Sequence, residues 1–140
     1  PIAFMQSLKR GEDFITPEGE IVANELLTVA PPPARSFAYM TDTLFRERFA
    51  DYVRGVDLLY HEATYMNADA VLAKESYHST TGQAARIAEL AGVGKLLLGH
   101  FSARYTECSE LLAEAREVFP NTFLCSDGDL FEVPAVKRRS

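Results

Sequence analysis

Only three histidines occur in this chain of 140 residues, and two of them bracket one short stretch. His61-Glu62 closes the apolar run "VDLLY", and His78 opens "HST". The third, His100, closes "KLLLG", and Asp42 follows "SFAYM" in the same way. Imidazole and carboxylate groups are good ligands for Zn2+ or Mn2+. A histidine held by a carboxylate is also the commonest proton-transfer device in hydrolytic sites. Asp42 and His100 suit a metal, but two ligands fall short of the three or four that zinc takes from a protein. No HxH, HxxxH or HxHxDH pattern is present to supply the rest. Each residue also has an ordinary reading. Asp42 can be a turn or cap, His61 can bond a backbone carbonyl in the core, and His78 can be a helix-entry residue. His100 is the strongest single case, since Gly99 before it permits close approach.

The elements that must carry these residues are legible as an alternation. "SFAYMT" reads as a strand. "LFRERFADYVRG" places Leu44, Phe45, Phe49, Tyr52 and Val53 at helical spacing, with Gly55 as a stop. "VDLLYHEA" and "GKLLLGHF" are short apolar runs of the kind that form buried strands, and "NADAVLAKE" is a short helix candidate. "STTGQAARIAELAGV" is a helix capped by Ser79 or Thr80, with Ala84, Ile87, Ala88 and Ala91 on one face. "ECSELLAEAREVFP" is a second amphipathic helix, and "NTFLCSDG" and "DLFEVP" are expected as strands joined at Asp127-Gly128. Strand and helix alternate four times, which implies a layered α/β structure. In such sheets function gathers at the carboxyl ends of strands, where Asp42, Glu62 and His100 all fall, with His78 in a loop before a helix.

The first 36 residues differ in texture. "EDFITPEGEIVA" reads as a β-hairpin around Pro17-Glu18-Gly19, and Pro31-Pro32-Pro33 as a stiff, extended lead-in. Residues 1–36 are therefore expected to be an irregular connecting or edge segment, and residues 37–140 an α/β half-domain. The "VKRRS" end reads as a solvated, frayed terminus.

Bulk properties narrow the function classes. Hydrophobic residues make up 47% and charged residues 24%, as in soluble globular proteins. No eighteen-residue apolar run exists, and "PIAFMQSLKRGEDF" lacks the apolar core of a signal peptide. The first residue is not Met, as in a fragment or a processed protein. Cys108 and Cys125 form no CxxC pair and read as reduced, half-buried thiols of a cytoplasmic protein. A net charge of −6 argues against a simple electrostatic nucleic-acid binder, though not against an enzyme whose positive charge is local.

Taken together and in order, "YMTDT", "HEAT", "YHST" and "LLLGHFSARY" resemble the ribonuclease Z family. These are tRNA 3′-processing endonucleases of the metallo-β-lactamase superfamily. The resemblance extends through "LLAEAREVFPNTFLCSDGDLFEV" and back to "LKRGEDFITPEGEIV", nearly the whole chain. It implies the C-terminal half of a metallo-β-lactamase αβ/βα sandwich, a mixed sheet with flanking helices. It implies two Zn2+ per complete active site, with Asp42 bridging them and His100 a ligand of one. It implies that Glu62 orients His78, which protonates the leaving 3′-oxygen, and that Ser79, Thr80 and Arg104 serve substrate, Arg104 as a phosphate contact. Thr41 stands where the family usually has Gly, and Ala103 where it commonly has Pro. The family's HxHxDH motif and its tRNA-binding arm have no counterpart here, so the chain by itself is expected to be inactive and to associate as a homo-oligomer. Two other readings stay open: a metal-free structural half-domain, or another phosphodiesterase of the same fold.

Overall fold

The structure is a computed structural model and describes residues 3–29, 31–32 and 34–133. These fall into two compact units, one within the first 33 residues and one from Ala34 onward.

In the first unit, α1 (Ala3–Lys9) precedes a two-stranded antiparallel hairpin of β1 (Phe14–Ile15) and β2 (Ile21–Val22). The hairpin turns through Gly19 at φ 87°. A short helix, α2 (Asn24–Leu27), follows. Asn24 ties the unit together by donating its side-chain amide to the carbonyls of Leu8 and Glu12 at 2.8 and 2.9 Å. Pro33 of the proline run and the "VKRRS" end lie outside the described residues.

The second unit is built on four strands: β3 (Phe37–Met40), β4 (Leu58–Glu62), β5 (Lys95–Gly99) and β6 (Thr122–Leu124). They lie in the order β3-β4-β5-β6, and every neighbouring pair is parallel. The mixed sheet expected from sequence thus shows parallel pairs throughout its described strands, because each strand returns through a crossover. Those crossovers are a 3-10 helix (Glu47–Val53), then α3 (Ala70–Glu75) with α4 (Thr81–Ala91), and finally α5 (Ser109–Val118). Side chains alternate across a strand, so Ala38, Met40, Leu59, Leu96, Leu98 and Leu124 share one face. That face packs with Ala84, Ile87, Ala88 and Ala91 of α4 in a single core. The other face carries Phe37 and Tyr39, which are 55% and 61% exposed.

Two expectations are corrected. The helical spacing of "LFRERFADYVRG" resolves into a 3-10 helix that starts only at Glu47. Its buried residues, Ala50 and Val53, are three apart, and a three-residue turn puts them on one face. "DLFEVP" forms no strand in its described residues, which find no ladder partner, and Leu130 is 97% exposed. The turn at Asp127-Gly128 does form, with Gly128 at φ 91° and the Ser126 amide donating to Asp129 Oδ2 at 2.9 Å.

Candidate active site

The register brings the polar strand ends together. Met40 pairs with His61, and Glu62 pairs with Gly99, so Asp42, Glu62 and His100 leave the sheet along one edge. Gly99 is needed for this: a Cβ there would stand 2.5 Å from the Tyr60 hydroxyl. His78 arrives from the other direction. Residues 78–80 sit between α3 and α4, and Thr80 caps α4 by accepting from the Gln83 amide, while the Gln83 side chain accepts from the Thr80 amide.

Glu62 is fully buried and acts as the hub. Its Oε1 accepts from the amides of Thr43 (3.2 Å) and Ser79 (2.9 Å). Its Oε2 accepts from the Thr64 amide (3.1 Å) and the Thr64 hydroxyl (2.8 Å). His78 Nδ1 lies 3.1 Å from Oε1. A buried carboxylate is tolerable only when its lone pairs are satisfied in this way. An ionised carboxylate accepts and never donates, so His78 carries its proton on Nδ1 and presents Nε2 bare in the neutral ring. The same logic passes through Thr64. Its hydroxyl proton goes to Glu62, so its oxygen accepts from His100 Nδ1, 2.9 Å away. In the neutral ring Nε2 is then the nitrogen with the lone pair, and it lies 3.6 Å from Asp42 Oδ1.

Exposure is graded outward from this hub. Glu62 is 0%, His78 21%, His100 45% and Asp42 67% exposed at the side chain. One ligand atom from each of Asp42, His78 and His100 lies within 4.8 Å of the others, a donor set that fits a divalent cation. The backbone is strained at the same place. Among the described residues, the non-glycine positions with positive φ are Asp42 (48°), Tyr77 (61°) and His100 (61°). Such outliers persist where surrounding structure imposes them, and they gather at functional sites. Here two are candidate ligands and the third immediately precedes His78.

The remaining expected residues separate by environment. Ser79 and Thr80 are fully buried, and their hydroxyls donate to protein atoms: Ser79 to the Thr43 carbonyl (2.6 Å) and Thr80 to Asn67 Oδ1 (2.7 Å). Both hydroxyl protons are thus spent within the protein. Arg104 is partly exposed, and its Nη1 donates to Asp69 Oδ1 at 3.2 Å. His61 is buried on the core face, and its Nδ1 donates to the Glu62 carbonyl at 2.6 Å. Burial pushes its pKa below the ordinary histidine value, more than the neighbouring Glu62 groups raise it. Sequence reasoning missed Thr64 and Thr43. The Thr of "HEAT", the polar residue two positions past Glu62, was the available signal for the first.

Against known proteins, the model of the beta-lactamase superfamily domain matches residues 25–101. The chain belongs to that superfamily, and its fold is the metallo-β-lactamase fold. Within it, the chain is 50% identical over 127 residues to Ribonuclease Z of Bacteroides fragilis strain YCH46, covering 91% of this chain and 42% of that protein. It is 48% identical over 128 residues to Ribonuclease Z of Parabacteroides distasonis, again covering 91% and 42%. Among solved structures, the metallo-beta-lactamase fold protein YhfI from Bacillus subtilis superposes with a TM-score of 0.64 at 26% identity, over 69% of this chain and 39% of that one. The resemblance carried by "HEAT", "HST" and "GHFSARY" is thereby borne out. The chain spans about two-fifths of the length of the curated relatives it matches.

Proposed function

We propose that this chain carries one side of the active site of a zinc-dependent endoribonuclease that removes the 3′ trailer from tRNA precursors. The observation that carries the reading is the Glu62 hub, which fixes His78 directly and His100 through Thr64, both beside Asp42. A single buried carboxylate orienting two imidazoles at a strand edge suits phosphodiester hydrolysis. That reaction needs an activated water, neutralised phosphate charge and a proton for the leaving oxygen.

In this reading Asp42 and His100 hold metal, with Nε2 of His100 as the donor atom. Zn2+ held there supplies Lewis acidity for the phosphate and for water. With Nδ1–H held by Glu62, the imidazolium form of His78 gives its second proton, from Nε2, to the leaving 3′-oxygen and returns to the neutral ring. Arg104 contacts a phosphate, and Ser79 and Thr80 set the His78 loop. The relatives are longer than this chain, and the remaining ligands of a two-zinc site belong to segments beyond it. The 140-residue chain is then inactive by itself, and a cytoplasmic location goes with the same reading. No helix among the described residues is long and apolar enough to cross a membrane.

The test uses the full-length protein that carries this chain. Purified with zinc, it is expected to cleave a tRNA precursor at the 3′ end of the mature sequence. Cleavage of a chromogenic phosphodiester with no action on the precursor would instead favour a different phosphodiesterase of this fold. Failure on both, with no bound metal, would favour the structural half-domain.

A further inference from the structure

One charged constellation lies beside the Glu62 hub without touching it. The Arg104 guanidinium sits 5.5 Å over the Tyr65 ring, and that ring is 6.4 Å from the His78 ring. Arg104 Nη1 donates to Asp69 Oδ1 at 3.2 Å. The second oxygen of Asp69 accepts from the Tyr105 hydroxyl, whose own oxygen accepts from the Met66 amide at 2.9 Å. Burial first, and then the Asp69 bond, push the Tyr105 phenol above its ordinary pKa, so it remains the donor. Asp69 thus links the end of the 3-10 helix Asn67–Asp69 to the loop that follows His100. It also clamps a long, rotamer-rich side chain against an aromatic face.

A guanidinium has five N–H donors in a rigid fork, and Asp69 takes one of them. The others are left for an anion. We propose that Asp69 is a positioning residue: it holds Arg104 over Tyr65 so that the guanidinium meets a phosphate of a nucleic-acid strand lying beside His78. This rests on the RNA substrate of the proposed function, not on its cleavage. The sign of the effect separates position from charge. Asp69 is itself negative and repels phosphate, so if charge dominated, neutralising it would tighten RNA binding. If position dominates, the same change weakens binding.

Asp69→Asn, Arg104→Ala and the double variant in the full-length protein decide between these. Steady-state cleavage of a tRNA precursor gives kcat and KM, and fluorescence anisotropy of the labelled precursor gives affinity without cleavage. The expected result for Asp69→Asn is a rise of about tenfold in KM and in the dissociation constant, with kcat nearly unchanged. In the Arg104→Ala background the Asp69→Asn change adds nothing, because residues acting through one another are not additive. Tighter or unchanged binding by Asp69→Asn overturns the inference, as does a full effect that persists without Arg104, which would mark a merely structural role. If the wild-type protein binds the precursor without cleaving it and Asp69→Asn weakens that binding, the inference stands and the nuclease reading falls. If the wild-type cleaves and Asp69→Asn matches it in KM and affinity, the reading stands and the inference falls. If the wild-type neither binds nor cleaves the precursor, both fall.

Discussion

Glu62 reaches His100 through a single hydroxyl: Thr64 Oγ1 lies 2.8 Å from Glu62 Oε2 and 2.9 Å from His100 Nδ1. The bridge fixes which ring nitrogen of His100 carries the proton, and so which one is free for a metal. Thr64→Val keeps the shape and removes the bridge. The full-length protein with this change is expected to bind zinc about 10–100-fold more weakly, the usual effect of losing a partner behind a metal-bound histidine. Thr64→Ser restores the bond. Competition with a chromogenic chelator measures both, and equal zinc affinity of Thr64→Val and wild type would remove the bridge from the account.

His78 belongs geometrically to the ligand cluster and chemically to Glu62. The reading proposed here gives it the proton, not the metal. His78→Ala in the full-length protein is then expected to slow single-turnover cleavage of a tRNA precursor by roughly 10²–10⁴-fold with zinc content unchanged. Asp42→Ala is expected to lose zinc as well as rate. Zinc loss in His78→Ala equal to that of Asp42→Ala would reassign His78 as a ligand.

Much of this was legible in sequence. The continuous apolar runs before His61 and His100 became buried central strands, since a parallel strand covered on both sides needs no alternation. Thr80, Ala84, Ile87 and Ala88 gave the cap and core face of α4. Asp42, Glu62, His78 and His100 were placed near each other because strand ends and the following loop share one edge. The Thr64 bridge was not legible, because it joins two strand ends 36 residues apart and leaves no periodic trace. Nor was the 3-10 crossover: apolar spacing of three and four fits an α-helix equally well until the short path between Met40 and Leu58 is known. "DLFEVP" had strand composition, but a strand requires an edge to pair with, and composition does not supply one.

His61 predicts how stability depends on pH. Its folded-state pKa is lowered, mainly by burial, from an ordinary value of 6.5. Below that value the unfolded chain takes up a proton that the folded one resists. The His61 contribution is therefore complete above about pH 7.5 and drains away as pH falls through 6.5. The slope from this one group is at most about 1.4 kcal/mol per pH unit. Urea unfolding of this chain at pH 7.5 and 5.5 measures it, with His61→Gln as the reference that cannot take the proton. The wild type should lose more stability than His61→Gln on acidification, and parallel losses would show that His61 titrates normally.

The sheet face opposite α4 predicts how the isolated chain behaves. Phe37 and Tyr39 of the edge strand β3 are 55% and 61% exposed. Phe123, at the other edge, carries Lys95 Nζ 5.1 Å and the Arg116 guanidinium 5.6 Å over its ring, so that side is shielded by charge. The bare aromatic surface is therefore on the β3 side, where an apolar patch next to an open strand edge favours association. The expected occupant in the isolated chain is a second copy of itself. Each aromatic fully withdrawn from water contributes about 1.5–3 kcal/mol, set against association costs of roughly 4–15 kcal/mol. Four such aromatics in a two-fold contact give at most about 12 kcal/mol against a cost of at least about 4 kcal/mol, so any dimer dissociates at micromolar concentration or above. Sedimentation velocity over a concentration series should show that dimer, and Phe37→Ser with Tyr39→Ser should abolish it while circular dichroism stays unchanged. A wild-type chain that sediments as a monomer at the highest concentration would show that this face has no affinity for its own copy.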